Sequence, residues 1–162
     1  MDETAADRGA TNGATYRKPG FLTRRLLNPL ILACLRMGVS VWGARVLESK
    51  GRQSGLPRRT PVNLLTWEGG QYLVSPRGQT QWVRNVRAAA GRLTLLVGRR
   101  RDERTATEVF GDDRIPVLRA YLAKWKMEIG VFFDGVSGDS DDAALRRIAD
   151  DHPVFALSAA RR

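Results

Sequence analysis

The residues with the clearest chemical potential lie in one short basic segment, residues 51–61, which reads GRQSGLPRRTP. Its glycines permit a tight backbone that leaves N–H groups exposed, and Arg52, Arg58 and Arg59 add guanidinium forks. Exposed N–H groups and guanidinium forks together bind phosphate or carboxylate groups. A charged hairpin loop that serves solubility has the same composition, so the pattern by itself keeps both interpretations open.

A second segment, residues 75–87, reads SPRGQTQWVRNVR and brings a glycine turn to the start of a predicted helix. Backbone N–H groups at a helix start are free to bind a ligand. Trp82 and Asn85 are three residues apart and therefore share one helix face. An indole beside an amide suits a flat heteroaromatic ligand with polar edges. The competing interpretation is a core tryptophan with an exposed asparagine.

Residues for acid–base or metal chemistry are scarce. Cys34 is the sole cysteine and His152 the sole histidine. One subunit therefore cannot assemble a disulfide framework, a thiolate cluster, a histidine-based triad or a multi-histidine metal site, and we predict no metal. If the protein is an enzyme, a cofactor carries the chemistry.

The formal net charge of +10 indicates an anionic partner. Of the 27 basic residues only Lys18, Lys50, Lys124 and Lys126 are lysines, so arginine dominates. Such a surface favours nucleic acid, anionic lipid or a polyanionic small molecule. Because aromatic residues are not interleaved with the arginines as a stacking platform requires, we predict no nucleic-acid partner.

The elements that position these segments are mostly strands. Period-two patterns predict them at Val41–Ser49, Arg59–Trp67, Gln71–Ser75, Leu93–Gly98, Arg104–Phe110 and His152–Leu157. Helices are predicted from Thr80 to about Ala90, from Asp112 onward and within residues 134–150, with a charged hairpin tip at Arg99–Glu103. The pattern indicates a mainly β protein with flanking helices, folded as a partly open antiparallel barrel.

The chain length of 162 residues allows one domain with one core. We assign residues 1–16 to a disordered leader, 17–40 to an N-terminal amphipathic helix and 41–162 to the barrel. The apolar run is too short to span a bilayer and no secretory cleavage site is evident, which predicts a cytoplasmic protein. Residues 21–37 either pack on the domain or rest on an anionic membrane surface, which would make the protein peripheral at the inner face of the cell membrane.

Residues 51–61, the hairpin through Ser75 and the Trp82-x-x-Asn85-x-Arg87 helix together resemble the deazaflavin-dependent nitroreductase family of actinobacteria. The resemblance covers about residues 42–110. It implies a split β-barrel of the flavin-reductase type, a fold shared by FMN-binding and pyridoxamine-phosphate-oxidase-like proteins. It also implies that the coenzyme is the deazaflavin F420.

Site residues follow from the resemblance by position. The anionic coenzyme tail would be held by Arg52, Ser54 and Arg58, and Arg87 would also reach it. The ring and phosphate region would be lined by Ser75, Arg77 and Gly78. Trp82 and Asn85 would lie beside the ring. Gln53 departs from the pattern, because relatives usually carry lysine or arginine there.

The function implied is that of an F420H2-dependent reductase that transfers hydride to a small, lipophilic organic substrate such as a quinone, a nitroaromatic compound or an enone. Proton delivery would come from solvent, from Ser75 or from Tyr121. Two alternatives stay open. One is an FMN-binding split-barrel protein, and the other is a peripheral membrane or anion-binding protein without catalysis.

Overall fold

The computed structural model describes residues 43–160 and, for residues 127–129, the backbone alone. The predicted leader and amphipathic helix, with Cys34, lie outside the described residues. Within the described part there are six strands: β1 (Ala44–Lys50), β2 (Pro57–Trp67), β3 (Gly70–Val74), β4 (Arg92–Val97), β5 (Arg100–Val109) and β6 (Val154–Ala159). The α-helices there are α1 (Gln81–Ala88), α2 (Arg114–Ile129) and α3 (Asp142–Ala149).

The six strands form one antiparallel barrel in the order β1-β2-β3-β6-β5-β4. The prediction of a mainly β antiparallel barrel is confirmed. The expected opening is not found, because β1 pairs with β4 and closes the sheet. Local periodicity specifies strands, but not whether the first and last strands of a sheet meet.

The seam between β1 and β4 is short. Cα partners run only from Val46 opposite Leu96 to Glu48 opposite Thr94. β1 continues two residues further, to Lys50, and β4 begins two residues earlier, at Arg92, but these residues do not pair with each other. The barrel wall therefore divides on that side, next to the basic segment that follows β1.

The hairpin between β4 and β5 corrects one prediction. The charged stretch Arg99–Glu103 was expected to form its tip, yet β5 begins at Arg100, and Glu103 pairs with Thr94. The turn is the pair Gly98–Arg99, with Gly98 at φ +57°. Strand pairing tolerates these charges because they find partners: Arg101 donates to a carboxylate of β1 at 2.7 Å.

The apolar core has two parts, one on each face of the sheet. The part enclosed by the barrel includes Leu47, Leu73, Phe155 and one face of α1. The outer part lies under α2 and α3, which cover the other face of the sheet with Tyr121, Leu122, Trp125, Phe133 and Leu145. No helix within residues 43–160 is long and apolar enough to cross a bilayer.

Candidate functional site

The basic segment after β1 folds into a tight turn. Gly51 N donates to Leu56 O at 2.8 Å, and Gly55 N donates to Gly51 O at 2.8 Å. A Cβ on Gly51 would lie 2.7 Å from Ser54 Oγ and 3.1 Å from Leu56 O, so a larger residue would force the turn to shift. Gly55 has φ +68°, a conformation that glycine adopts without strain. These glycines fix the shape that the sequence pattern indicated.

Arg52 ties the turn to α1. Its backbone N–H donates to Asn85 Oδ1 at 3.3 Å, and its guanidinium Nη1 donates to the same oxygen at 3.2 Å. Nη1 also donates to Gln81 Oε1 at 2.7 Å. Asn85 and Gln81 are four residues apart, which is about one helical turn, so both side chains can accept hydrogen bonds from the same guanidinium. Asn85 is 4% exposed, so the exposed asparagine of the competing interpretation is not found.

The other residues near the turn that were predicted to bind the coenzyme tail differ in whether their side chains already have partners. Ser54 is exposed and its Oγ accepts from Leu56 N at 3.3 Å, which makes it part of the turn. Arg58 is exposed, and none of the ion pairs among the described residues involves it. Arg59 is paired with Glu48 at 2.8 Å. Near Gln53, which departs from the family pattern, Arg58 therefore supplies a guanidinium that no acidic residue in the described part of the chain pairs with.

The turn before α1 is closed by Ser75. Its Oγ donates to Gly78 O at 2.7 Å and lies 3.2 Å from Thr80 Oγ1, and the residue is 0% exposed. Gly78 has φ +73° and donates its N–H back to Ser75 O at 3.1 Å. A hydroxyl that is buried and engaged in this way holds the turn. The structure does not place Ser75 where it can deliver a proton to a ligand.

Trp82 is a core residue. Its indole packs on Phe155 with ring centroids 5.6 Å apart, and 6% of the residue is exposed. It does share a helix face with Asn85, as the spacing predicts, but that face points into the barrel. Too little of the indole is exposed to stack on a coenzyme ring. The core alternative is correct for Trp82, because the apolar moment of a short helix directs its largest side chain inward.

Two further predicted residues are held by other parts of the protein. Arg87 forms a two-pronged ion pair with Glu108 of β5, with Nε donating at 2.7 Å, and this pair raises the pKa of Arg87. Its guanidinium is thus engaged away from the basic turn. Arg77 lies with its guanidinium carbon 5.3 Å from the centroid of the Phe132 ring, a cation–π distance.

Tyr121 does not face a ligand surface. It is 1% exposed and packs on Trp125 and Phe133 beneath α2, with ring centroids 4.7 and 6.5 Å apart. The proposed role of Tyr121 in proton delivery is therefore corrected: helical periodicity puts its side chain in the core between α2 and the sheet.

A cleft of about 700 Å³ lies where the turn, α1 and the divided seam of the barrel meet. We call it the seam cleft. It is lined by Glu48, Ser49, Lys50, Gly51, Arg52, Gly55, Pro57, Asn85, Ala88, Ala89, Arg92, Leu93, Thr94, Glu103, Arg104 and Ala160. Of the predicted site residues it brings together Arg52 and Asn85, with Ser54 in the adjoining turn and Arg58 at the start of β2. Ser75, Arg77, Gly78, Trp82 and Arg87 are not among its lining residues.

The charges of the seam cleft favour an anion. Four basic side chains line it (Lys50, Arg52, Arg92 and Arg104) against two acidic ones (Glu48 and Glu103). Hydrogen bonds from Arg101 and then from Arg59 lower the pKa of Glu48, so its carboxylate stays ionised. The two guanidinium groups offset its negative charge. The net field in the cleft is positive, which attracts anionic ligands.

Sequence reasoning missed Ser49, Arg92 and Arg104 of the seam cleft, and also Gln81, which accepts a hydrogen bond from Arg52. Two signals existed. Ser49 stands two residues after Leu47, so it occupies an inward-facing position where an apolar residue is expected. Gln81 stands one helical turn before Asn85, on the same side of α1. Arg92 and Arg104 are distant in sequence, and only the folded sheet brings them together.

Solved structures share this fold. The chain is similar to an F420-H2 dependent reductase, FDR-A, with 19% identity and a TM-score of 0.50, covering 72% of this chain and 94% of that one. It is also similar to a conserved hypothetical protein, Rv2991, from Mycobacterium tuberculosis, with 15% identity and a TM-score of 0.50, covering 91% and 84%. A further similar structure, from Clostridium acetobutylicum, is related to general stress protein 26 of the pyridoxinephosphate oxidase family, at 12% identity and a TM-score of 0.48, covering 82% and 84%. No curated protein matches the chain.

The antiparallel barrel, shared with these solved structures, places the chain among the split-barrel proteins. Residues 36–132 match the family described as F420H(2)-dependent quinone reductase, and the chain belongs to that family. Family membership implies the use of coenzyme F420 and confirms the resemblance drawn from the basic turn and the following helix.

Proposed function

We propose that this protein binds reduced coenzyme F420 in the seam cleft and transfers its hydride to a small, lipophilic organic acceptor. The single observation that carries the proposal is the bond from Arg52 to Asn85. It joins the basic turn to α1 and gives the cleft one rigid wall whose residues are those that the family resemblance assigns to the coenzyme.

The residues present fit the coenzyme. Its anionic tail requires positive charge, and residues 49–61 hold three arginines and a lysine with no aspartate or glutamate. Glu48, which precedes them, is engaged by Arg59 and Arg101. Arg58 is exposed and without an ion pair among the described residues, so its fork is available to a phosphate or carboxylate. The cleft volume of about 700 Å³ is within the general range of small-molecule and cofactor pockets.

When bound, the reduced coenzyme would supply the hydride. This chain then has to bind the coenzyme, orient it toward the acceptor and shield the reacting atoms from water. The basic turn holds the charged end, and Asn85 fixes the wall. Since Ser75 and Tyr121 are both buried, we propose that the proton that completes the reduction comes from solvent at the mouth of the cleft.

Quinones, nitroaromatic compounds and enones are the acceptors that we propose. Their lipophilic character rests on the family resemblance. Leu56, 61% exposed in the turn beside the cleft, is the apolar side chain that we propose such an acceptor contacts.

The proposal is tested by titrating the full-length protein with F420 and, separately, with FMN, following coenzyme fluorescence. We expect saturable binding of F420 and much weaker binding of FMN, since FMN has a single phosphate. The reduced coenzyme is then offered a quinone, a nitroaromatic compound and an enone in turn. Tighter binding of FMN would favour the alternative split-barrel function, and binding of neither coenzyme would refute the proposal.

A further inference from the structure

Ser49 is a buried polar residue that lines the seam cleft. The residue is 4% exposed, and its Oγ has no hydrogen-bond partner in the described part of the chain. A buried hydroxyl without a partner is unfavourable in a folded protein and is rare unless a ligand or water satisfies it. Ser49 lines the cleft, so a group bound there can reach it.

The position of Ser49 follows from the divided seam. It lies one residue beyond Glu48, the last residue of β1 that pairs with β4. Leu47 and Leu95 close the barrel below it and are 0% and 3% exposed. The serine therefore stands at the floor of the gap between the two strands.

Three basic residues line the same cleft as Ser49. Arg92, at the start of β4, is exposed and takes part in none of the ion pairs among the described residues. Arg104 donates Nε and Nη2 to Asp102, at 2.9 and 2.8 Å, which leaves Nη1 outside that pair. Lys50 lines the same cleft. A hydroxyl, a guanidinium and an ammonium group around one gap form a set of donors for an oxyanion.

We propose that the gap between β1 and β4 is an oxyanion subsite, in which a phosphate or carboxylate group accepts a hydrogen bond from Ser49 Oγ and contacts Arg92. The inference deepens the proposed function and rests on it for the identity of the larger ligand. The oxyanion belongs either to the coenzyme, in its phosphate and tail, or to an acidic substrate.

The test compares the full-length wild type with Ser49→Ala, Arg92→Gln and a control, Arg147→Gln. Arg147 is an exposed arginine of α3 outside the cleft, so the control makes the same change in net charge. Fluorescence titration gives the dissociation constants of complete F420 and of its deazaflavin fragment without phosphate and tail. Thermal unfolding of the unliganded proteins, with and without inorganic phosphate, gives the melting temperatures.

If the coenzyme supplies the oxyanion, Ser49→Ala and Arg92→Gln each weaken complete F420 by about tenfold, while the fragment and the control are unchanged. If an acidic substrate supplies it, coenzyme binding is unchanged and KM for a carboxylate-bearing quinone rises in both variants. Ser49→Ala is also expected to raise the melting temperature of the unliganded protein, because it removes an unsatisfied hydroxyl. A purely structural serine would lower it.

Equal binding and KM in all four proteins would overturn the subsite. Should wild type not bind F420 at all, the proposed function fails and the subsite is judged by inorganic phosphate alone. Phosphate that raises the melting temperature of wild type but not of Ser49→Ala then supports the subsite, and equal protection of both refutes it.

Discussion

Asn85 Oδ1 accepts hydrogen bonds from both the backbone and the guanidinium of Arg52, at 3.3 and 3.2 Å. The amide is nearly buried, while the arginine belongs to an exposed turn. The Asn85 side chain thus links the basic turn to α1, which is packed into the barrel. Together with the bond from Arg52 to Gln81 Oε1 at 2.7 Å, these contacts hold the turn that forms one wall of the seam cleft.

Replacing Asn85 by Ala is expected to lower the free energy of unfolding by about 1–3 kcal/mol, because both hydrogen bonds from Arg52 are lost and one of them is donated by a charged guanidinium. It should also weaken F420 binding, since the turn is no longer fixed. Asn85→Asp is the matched control. It keeps the acceptor and the pairing with Arg52, yet puts a negative charge beside an anionic ligand. We expect it to fold well and bind F420 poorly, and binding equal to wild type would contradict an anion in this part of the cleft.

Arg58→Ala is expected to weaken F420 binding by about 1.5 kcal/mol at low salt, the lower range for a charged hydrogen bond. The loss should shrink as ionic strength rises, because the side chain is exposed and its field is screened. Titration at two salt concentrations measures both effects. Arg99→Ala, at the far hairpin turn, is the control, and an equal loss in that variant would mean that only net charge matters.

Trp82→Phe is expected to destabilise the fold by about 1–2 kcal/mol, since the smaller ring leaves space beside Phe155 in the core. F420 binding and any quench of tryptophan fluorescence on binding should be largely retained. Denaturant unfolding and the coenzyme titration provide the two measurements. Loss of most of the quench with normal stability would instead put the indole at the ligand.

The ion pairs of Glu48 predict an acid dependence of stability. Hydrogen bonds from Arg101 and Arg59 lower its pKa in the folded protein. The folded state therefore binds fewer protons at this carboxyl than the unfolded chain does. The resulting stability is complete above the pKa of an unfolded glutamate, about 4.3, and is lost as pH falls through the lower folded value.

Glu48→Gln isolates this effect. The variant should be less stable than wild type at neutral pH, and the difference should vanish in strong acid. Melting temperatures measured across the acid range give the comparison. Arg104 and Arg146 also lower the pKa values of Asp102 and Asp112. The variant therefore keeps part of the acid sensitivity of the wild-type protein. A difference that stays constant with pH would contradict the assignment.

Residues 21–37 carry the proposed contact with an anionic membrane surface. Deleting residues 1–38 is expected to abolish sedimentation with anionic vesicles while F420 binding persists. Vesicles of neutral lipid are the control for nonspecific trapping. Unfolding of the shortened protein would show that the segment belongs to the domain core, and unchanged sedimentation would place the membrane contact elsewhere.

The sequence by itself determined the elements and the basic turn. Alternation of apolar residues specified the six strands, and glycine at 51 and 55 specified the turn, because these signals act between near neighbours in the chain. The resemblance in residues 51–87 sufficed to indicate the family. The extent of β5 was misjudged, because the ion pairs that accommodate its charged start join residues far apart, as from Arg101 to Glu48.

Tertiary structure alone decided which of the candidate residues share a site. Helical spacing put Trp82 and Asn85 on one face, but only packing decides that this face enters the barrel, with the indole against Phe155 and the amide holding Arg52. Likewise, Ser49, Arg92 and Arg104 become neighbours only because β1 and β4 close the sheet and then diverge. Closure depends on contacts between strands more than 40 residues apart, which no local pattern encodes.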